Sequence, residues 1–140
     1  MKILGRHLVI ELSNCDKNKL NNLEYLEKCL DKSVQLSGAT KVKSVFHRYN
    51  PQGVSGVVVI AESHCSIHTW PEYGYAAIDY FTCGESVDPY RGLDYLKEAL
   101  QAENIQVTEL KGVSLRKRMK LSATNRQLSL YIKPYRRIIK

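Results

Sequence analysis

The sequence predicts an α+β domain, a mainly antiparallel sheet with helices on one face. Three observations carry that expectation. Apolar residues recur at three- and four-residue spacing in two stretches, Leu20 to Val34 and Leu93 to Leu100. Elsewhere apolar and polar residues alternate in short runs bounded by Gly, Pro, Asn or Asp. The resulting order is strand, helix, several strands, helix, strand, with no internal repeat.

Taken in order, His7 to Leu12 alternates as a first strand. Asp16 can accept orphan amide protons and so cap a helix over 17–36. Its stripe is Leu20, Leu23, Leu26, Leu30 and Val34, and Gly38 is placed to end it in the left-handed conformation. Lys41 to Tyr49 reads as a strand, and Asn50-Pro51-Gln52-Gly53 as a turn. Val54 to Ala61 is the most hydrophobic run and reads as a central strand. A strand over 65–70, a turn at Pro71–Gly74 and a returning strand over 75–83 follow. Asp88-Pro89 pairs a cap with proline at the first helical position, opening a helix over 89–101. Ile105 and Val107 mark a last strand, 104–110.

The formal net charge of +7 hides an asymmetry. Residues 1–110 carry a net −3, whereas residues 111–140 hold ten Lys and Arg with no acid. The chain therefore divides into a domain over 1–112 and a basic C-terminal extension over 113–140. The extension contains the cationic run Leu115–Lys120, a strand-like Leu128–Ile132 and a basic end. It reads either as a solvated tail or as a surface attracting RNA, anionic membrane or an acidic partner. No recognised nucleic-acid module accompanies it. No apolar run reaches membrane-spanning length, and the first residues lack the apolar segment of a signal peptide. The four cysteines read as free thiols in a reducing cytoplasm.

The window 61–84 concentrates the chemistry. It holds His64 and His68, Cys65 and Cys83, and the only tryptophan, Trp70. Alternation sets Cys65, Ile67 and Thr69 on one face and Ser66, His68 and Trp70 on the other. The returning strand is expected to carry Cys83 back near Ser63 and His68. No zinc site is expected, because His64 and His68 stand about 13 Å apart at strand rise.

At Glu62-Ser63-His64, Ile67-His68-Thr69-Trp70-Pro71-Glu72 and Phe81-Thr82-Cys83-Gly84 the chain resembles a known family. It is similar to the short prokaryotic S-adenosylmethionine decarboxylases, pyruvoyl-dependent enzymes of polyamine synthesis. The resemblance covers roughly residues 4–112, including Gly5-Arg6-His7, His47-Arg48 and Gly53 to Val58. It implies a proenzyme that cuts itself between Glu62 and Ser63, leaving a pyruvoyl group derived from Ser63 that forms a Schiff base with S-adenosylmethionine. It assigns His68 as processing base, Ser55 as processing assistant and Cys83 as proton donor. By resemblance Glu72 and Trp70 fall near the substrate; Tyr49 stands where relatives commonly have phenylalanine and could stack on adenine equally well. Cys65 and Ser66 replace a common leucine and threonine, and from this departure Cys65 is expected to touch the substrate. The resemblance also implies a four-layer α/β/β/α homodimer whose active sites draw on both chains. Cys15, Cys29 and His7 are read as structural by default.

The chemistry explains these residue types. Ser63 Oγ can attack the Glu62 carbonyl through a five-membered ring, turning amide into ester, and Ser55 is a candidate donor to the oxyanion. A base must then take the α-proton of residue 63, a task that suits an imidazole such as His68. After decarboxylation a positioned thiol such as Cys83 can return a proton to carbon. A sulfonium beside an adenosine suits a carboxylate and aromatic faces, which Glu72, Trp70 and Tyr49 supply. Two rivals stand beside this reading. The pyruvoyl machinery could serve arginine or ornithine, or the scaffold could be a non-enzymatic paralogue binding anionic partners through its basic extension.

Overall fold

A computed structural model describes residues 2–112 and 114–115 of the chain. A two-residue strand β1 (Lys2–Ile3) is followed by β2 (Gly5–Ser13), helices α1 (Lys17–Leu20) and α2 (Leu23–Ser37), and β3 (Thr40–Arg48). Then come β4 (Val54–Ala61), β5 (Ser63–Trp70), β6 (Tyr75–Cys83), α3 (Pro89–Ala99), β7 (Asn104–Lys111) and β8 (Ser114–Leu115). One six-stranded sheet runs β3-β4-β5-β6-β2-β7, and β1 pairs with β8 beside it. Every pairing is antiparallel. The rest of the basic extension, with its cationic run and the strand expected over 128–132, lies outside the described residues.

The single helix expected over 17–36 is two helices. Asp16 caps α1 by accepting from Lys19 N at 2.9 Å, but Asn21 and Asn22 interrupt it. Asn21 Oδ1 accepts from Gly53 N at 3.1 Å, and Asn22 Oδ1 re-caps the chain by accepting from Tyr25 N at 3.0 Å. Short amide side chains satisfy backbone donors best at helix ends, so two in succession break the helix and restart it. Gly38 closes α2 at φ 83°, and Asp88 with Pro89 opens α3 as expected.

One face of the sheet is covered. Leu8, Ile10 and Leu12 of β2, with Ile78 and Tyr80 of β6, pack against Leu26, Leu30 and Val34 of α2 and Leu93 and Leu96 of α3. Val54–Ala61 was expected at the sheet's centre but lies one strand in from the β3 edge; β5 and β6 hold the centre. Its hydrophobicity has a different cause. Val54, Val58 and Ile60 are buried under the helices, while Val59, on the other face, is 42% exposed. Val45 and Val9 are exposed on that same open face. Among the described residues, no helix is long and apolar enough to cross a membrane.

Helices α2 and α3 approach each other at Gly92. A Cβ there would stand 2.6 Å from Ser33 Oγ, 2.8 Å from Ser33 O and 2.9 Å from Tyr80 OH. Gly92→Ala should therefore force the helices apart and cost about 1–3 kcal/mol, read as a lower urea midpoint with an unchanged slope.

Candidate active site

The turn from β4 to β5 is tight. Ile60 pairs with Ser63, which leaves Ala61 and Glu62 at the tip. Glu62 is exposed, and the Glu62–Ser63 bond sits where the second strand begins. Cross-strand partners share a face, and Ile60 faces the helices, so Ser63 belongs to the covered side. Its hydroxyl oxygen is buried and has no hydrogen-bond partner among the described residues. A buried hydroxyl left without a partner costs about 1–3 kcal/mol. This one adjoins the carbonyl that it would attack.

Cys83 ends β6 opposite Gly5, on the open face and at the same end of the sheet as Ser63. His68 does not join them. It pairs with Ala77, at the other end of β5 and five positions from Ser63, about 16 Å at strand rise. The expectation that the returning strand brings Cys83 near both Ser63 and His68 is thus half right. The turn at Pro71–Gly74 sets Trp70 opposite Tyr75, and that register sends Cys83 to Ser63's end only.

His68 instead meets Ser55. The two face each other across β4 and β5, and Ser55 Oγ and His68 Nδ1 share a hydrogen bond of 2.7 Å. Within one chain Ser55 is therefore also too far from Ser63 to assist it. His47 lies opposite Ser55 on β3, and its ring packs edge-on against Tyr49 at 4.8 Å between centroids. Trp70 packs against Tyr75 at 5.3 Å, and Glu72 is exposed in the single helical turn Pro71–Tyr73 that follows. The site residues thus form two groups on one chain. Glu62, Ser63 and Cys83 lie at one end; Ser55, His68, Tyr49, Trp70 and Glu72 gather at the other.

Cys65 belongs to neither group. It is 0% exposed beneath the helices, so within this chain it cannot touch a substrate, the contact that its departure from the family's common leucine had suggested. Burial, with the Asp79 charge adding to it, pushes its thiol far up. Alternation along β5 already placed Cys65 on the side of Ile67 and Thr69, and the helices cover that side. Burial likewise raises the Cys15 thiol to about 11. It raises Cys29 too, against opposing hydrogen bonds from Tyr25 and Tyr95.

A further pair escaped the sequence reading. His7 Nε2 donates to Asp79 Oδ1 at 3.0 Å on the open face. Phe81 lies between His7 and His64, 5.4 Å from the first ring and 6.0 Å from the second. Strand parity was the available signal, since β2 and β6 both place odd-numbered residues on this face.

An α+β protein with a buried serine hydroxyl at a hairpin tip, a thiol beside that tip and a serine–imidazole pair on the same sheet has the groups of a self-processing enzyme. A family model described as S-adenosylmethionine decarboxylase matches residues 6–112. The chain belongs to that family. It is 59% identical over 109 residues to the S-adenosylmethionine decarboxylase proenzyme of Thermotoga petrophila, covering 78% of this chain and 84% of that one. The proenzyme of the same name from Caldicellulosiruptor saccharolyticus is 54% identical over 111 residues, covering 79% and 90%. The crystal structure of the adenosylmethionine decarboxylase from Aquifex aeolicus superposes with a TM-score of 0.79 at 34% identity, covering 85% of this chain and 98% of that one.

Of the four free cysteines, Cys83 alone is not buried. Only thiolates react quickly with iodoacetamide, and burial both raises a thiol's pKa and blocks access. At about pH 8 the folded protein should take up one equivalent, at Cys83, and four after unfolding. Labelling of Cys65 in the folded state would contradict its placement.

Proposed function

We infer that this chain decarboxylates S-adenosylmethionine after cutting itself between Glu62 and Ser63. The observation that carries the reading is the buried, unpartnered Ser63 hydroxyl next to the Glu62 carbonyl at the β4–β5 tip. Membership of the family supplies the substrate and the class of reaction, a carboxy-lyase.

Ser63 Oγ attacks the Glu62 carbonyl, the bond from that carbon to the Ser63 nitrogen breaks, and the hydroxyl proton passes to the freed amine. The α-proton of residue 63 must then be taken by an imidazole so that the new C-terminal carboxylate of Glu62 leaves. Water adds to the imine tautomer of the dehydroalanine so formed, and its nitrogen departs as ammonia, leaving the ketone. His68 of the same chain is about 16 Å away along a rigid strand. The imidazole that acts therefore comes from a second copy, with Ser55 fixing its ring through the bond to Nδ1. The open sheet face explains how the copies meet. It presents Val9, Val45 and Val59 to solvent, and stacking two such faces buries them and forms four layers, α/β/β/α. The Ser63 end of one chain then lies over the His68 end of the other.

Residue 63, amide-linked to His64 at the start of β5, suits the covalent pyruvoyl group that the family implies, because that position already holds a serine hydroxyl beside a cleavable bond. The group supplies an electron sink for the departing carboxylate. Cys83, at the same strand end, holds the proton that returns to substrate carbon. Glu72 and the Trp70 and Tyr49 rings, exposed at the His68 end, offer a carboxylate for a ribose and aromatic faces for adenine and sulfonium. The working compartment we propose is the cytoplasm, since the half-buried Cys83 thiol must stay reduced.

Two experiments test this. Ser63→Ala and His68→Ala chains should each stay whole when purified alone. Co-expressed, they should yield cleavage of the His68→Ala chain, because its Ser63 meets an intact imidazole from the other copy. Failure of the mixture to cleave, with wild type cleaving normally, would refute the two-chain site. Carbon dioxide release should occur with carboxyl-labelled S-adenosylmethionine and not with arginine or ornithine. Cys83→Ala should lower it at least about a hundredfold without blocking cleavage.

A further inference from the structure

The covered face contains a second hydroxyl as isolated as that of Ser63. Thr82 is 1% exposed, and its Oγ1 is buried with no hydrogen-bond partner among the described residues. His64 pairs with Phe81, so the register continued by one position sets Ser63 across from Thr82. Thr82 also pairs with Arg6 on β2, whose guanidinium bonds Glu109 at 2.9 Å and leaves Thr82 alone. Two unpartnered hydroxyls thus stand on neighbouring strands, on the same side of the sheet. Side chains directly opposite in an antiparallel pair have Cβ atoms about 4.5–5.5 Å apart. One χ1 rotation brings two such hydroxyl oxygens into hydrogen-bond range.

A threonine that serves only the fold looks different here. Thr69, on the same face and also buried, accepts from Val54 N at 2.9 Å and donates to Leu20 O at 2.8 Å, tying β4 and α1 to β5. Thr82 ties nothing. Valine has its shape and would fill the position without the desolvation cost of a lone hydroxyl. The other buried hydroxyls at issue, Ser33 and Tyr80, lie together against Gly92 at the helix crossing, within reach of each other.

We propose that Thr82 is a positioning residue for chain cleavage, its hydroxyl holding Ser63 Oγ through both steps. The inference rests on Ser63 being the residue that cuts the chain. A hydroxyl both accepts and donates, which is what the two steps require in turn. Before attack, Ser63 donates its proton to Thr82 Oγ1, and this orientation aims an Oγ lone pair at the Glu62 carbonyl carbon. The Oγ–carbon bond forms, the carbon–nitrogen bond breaks, and the Ser63 proton ends on the nitrogen. In the second step the α-proton goes to the imidazole. Its electron pair forms the Cα–Cβ double bond, and the Cβ–Oγ bond breaks toward oxygen. Oγ then belongs to the Glu62 carboxylate, and Thr82 donates its own proton into a hydrogen bond with the developing negative charge. Thr82 neither gains nor loses a proton overall.

The test compares Thr82→Val with Thr82→Ser, following conversion of full-length chain to two fragments on a denaturing gel. Thr82→Val should cleave about ten- to a hundredfold more slowly than wild type. It should still fold, with a somewhat lower thermal midpoint because the buried Ser63 hydroxyl loses its partner, whereas Thr82→Ser should melt with wild type. Thr82→Ser keeps the hydroxyl and should cleave within about threefold of wild type. Cleavage of Thr82→Val at the wild-type rate would overturn the proposal. So would a serine variant as slow as the valine one, since shape would then be the cause. Wild-type protein that never cleaves would instead sink the reading of Ser63 on which this rests.

Discussion

A β-strand is stiff along its length and advances about 3.3 Å per residue, so two side chains five positions apart on one strand cannot meet. Ser63 and His68 stand in that relation on β5. Both neighbours of β5 are paired along it, and neither register can be changed without turning the buried face outward. The rest of the arrangement follows from this separation. In the proposed reading, a chain with its cleaved bond at one end of a strand and the processing imidazole at the other requires a second chain, reversed over it, to bring them together.

The sheet divides its work between faces. Under the helices lie the apolar core and, at the strand ends, the two hydroxyls of Ser63 and Thr82. Imidazoles and the one unburied thiol lie on the open side: His7 with Asp79, His64, His68 with Ser55, and Cys83. The open face is also where valines remain exposed. In the proposed assembly one surface thus serves association and chemistry together, since stacking would bury those valines and complete each site in a single step.

Much of this was legible in the residues themselves. Alternation in β5 assigned faces to every residue from Cys65 to Trp70, and the helical stripes of Leu26, Leu30 and Leu93 named the cover. The break at Asn21-Asn22 was missed because apolar spacing continues across it; only the capping ability of two adjacent amides betrays it. Strand rise excluded a shared metal at His64 and His68, and the same count separates Ser63 from His68. The hairpin's return suggested otherwise, since proximity of Cys83 to one end was extended to the other. Cys65 shows the limit of resemblance: a departure from the family's usual residue pointed toward substrate, whereas parity pointed inward. The isolation of Ser63 and Thr82 could not be read from sequence, because it depends on which hydroxyls find partners once the core closes.

The measurement that bears most directly on the account is the intact mass of freshly purified wild-type protein. Two species are predicted, one ending at Glu62 and one beginning at a residue 63 that has lost its amine and resists sequencing from that end. A single species of 16.0 kDa with an unmodified Ser63 would contradict it.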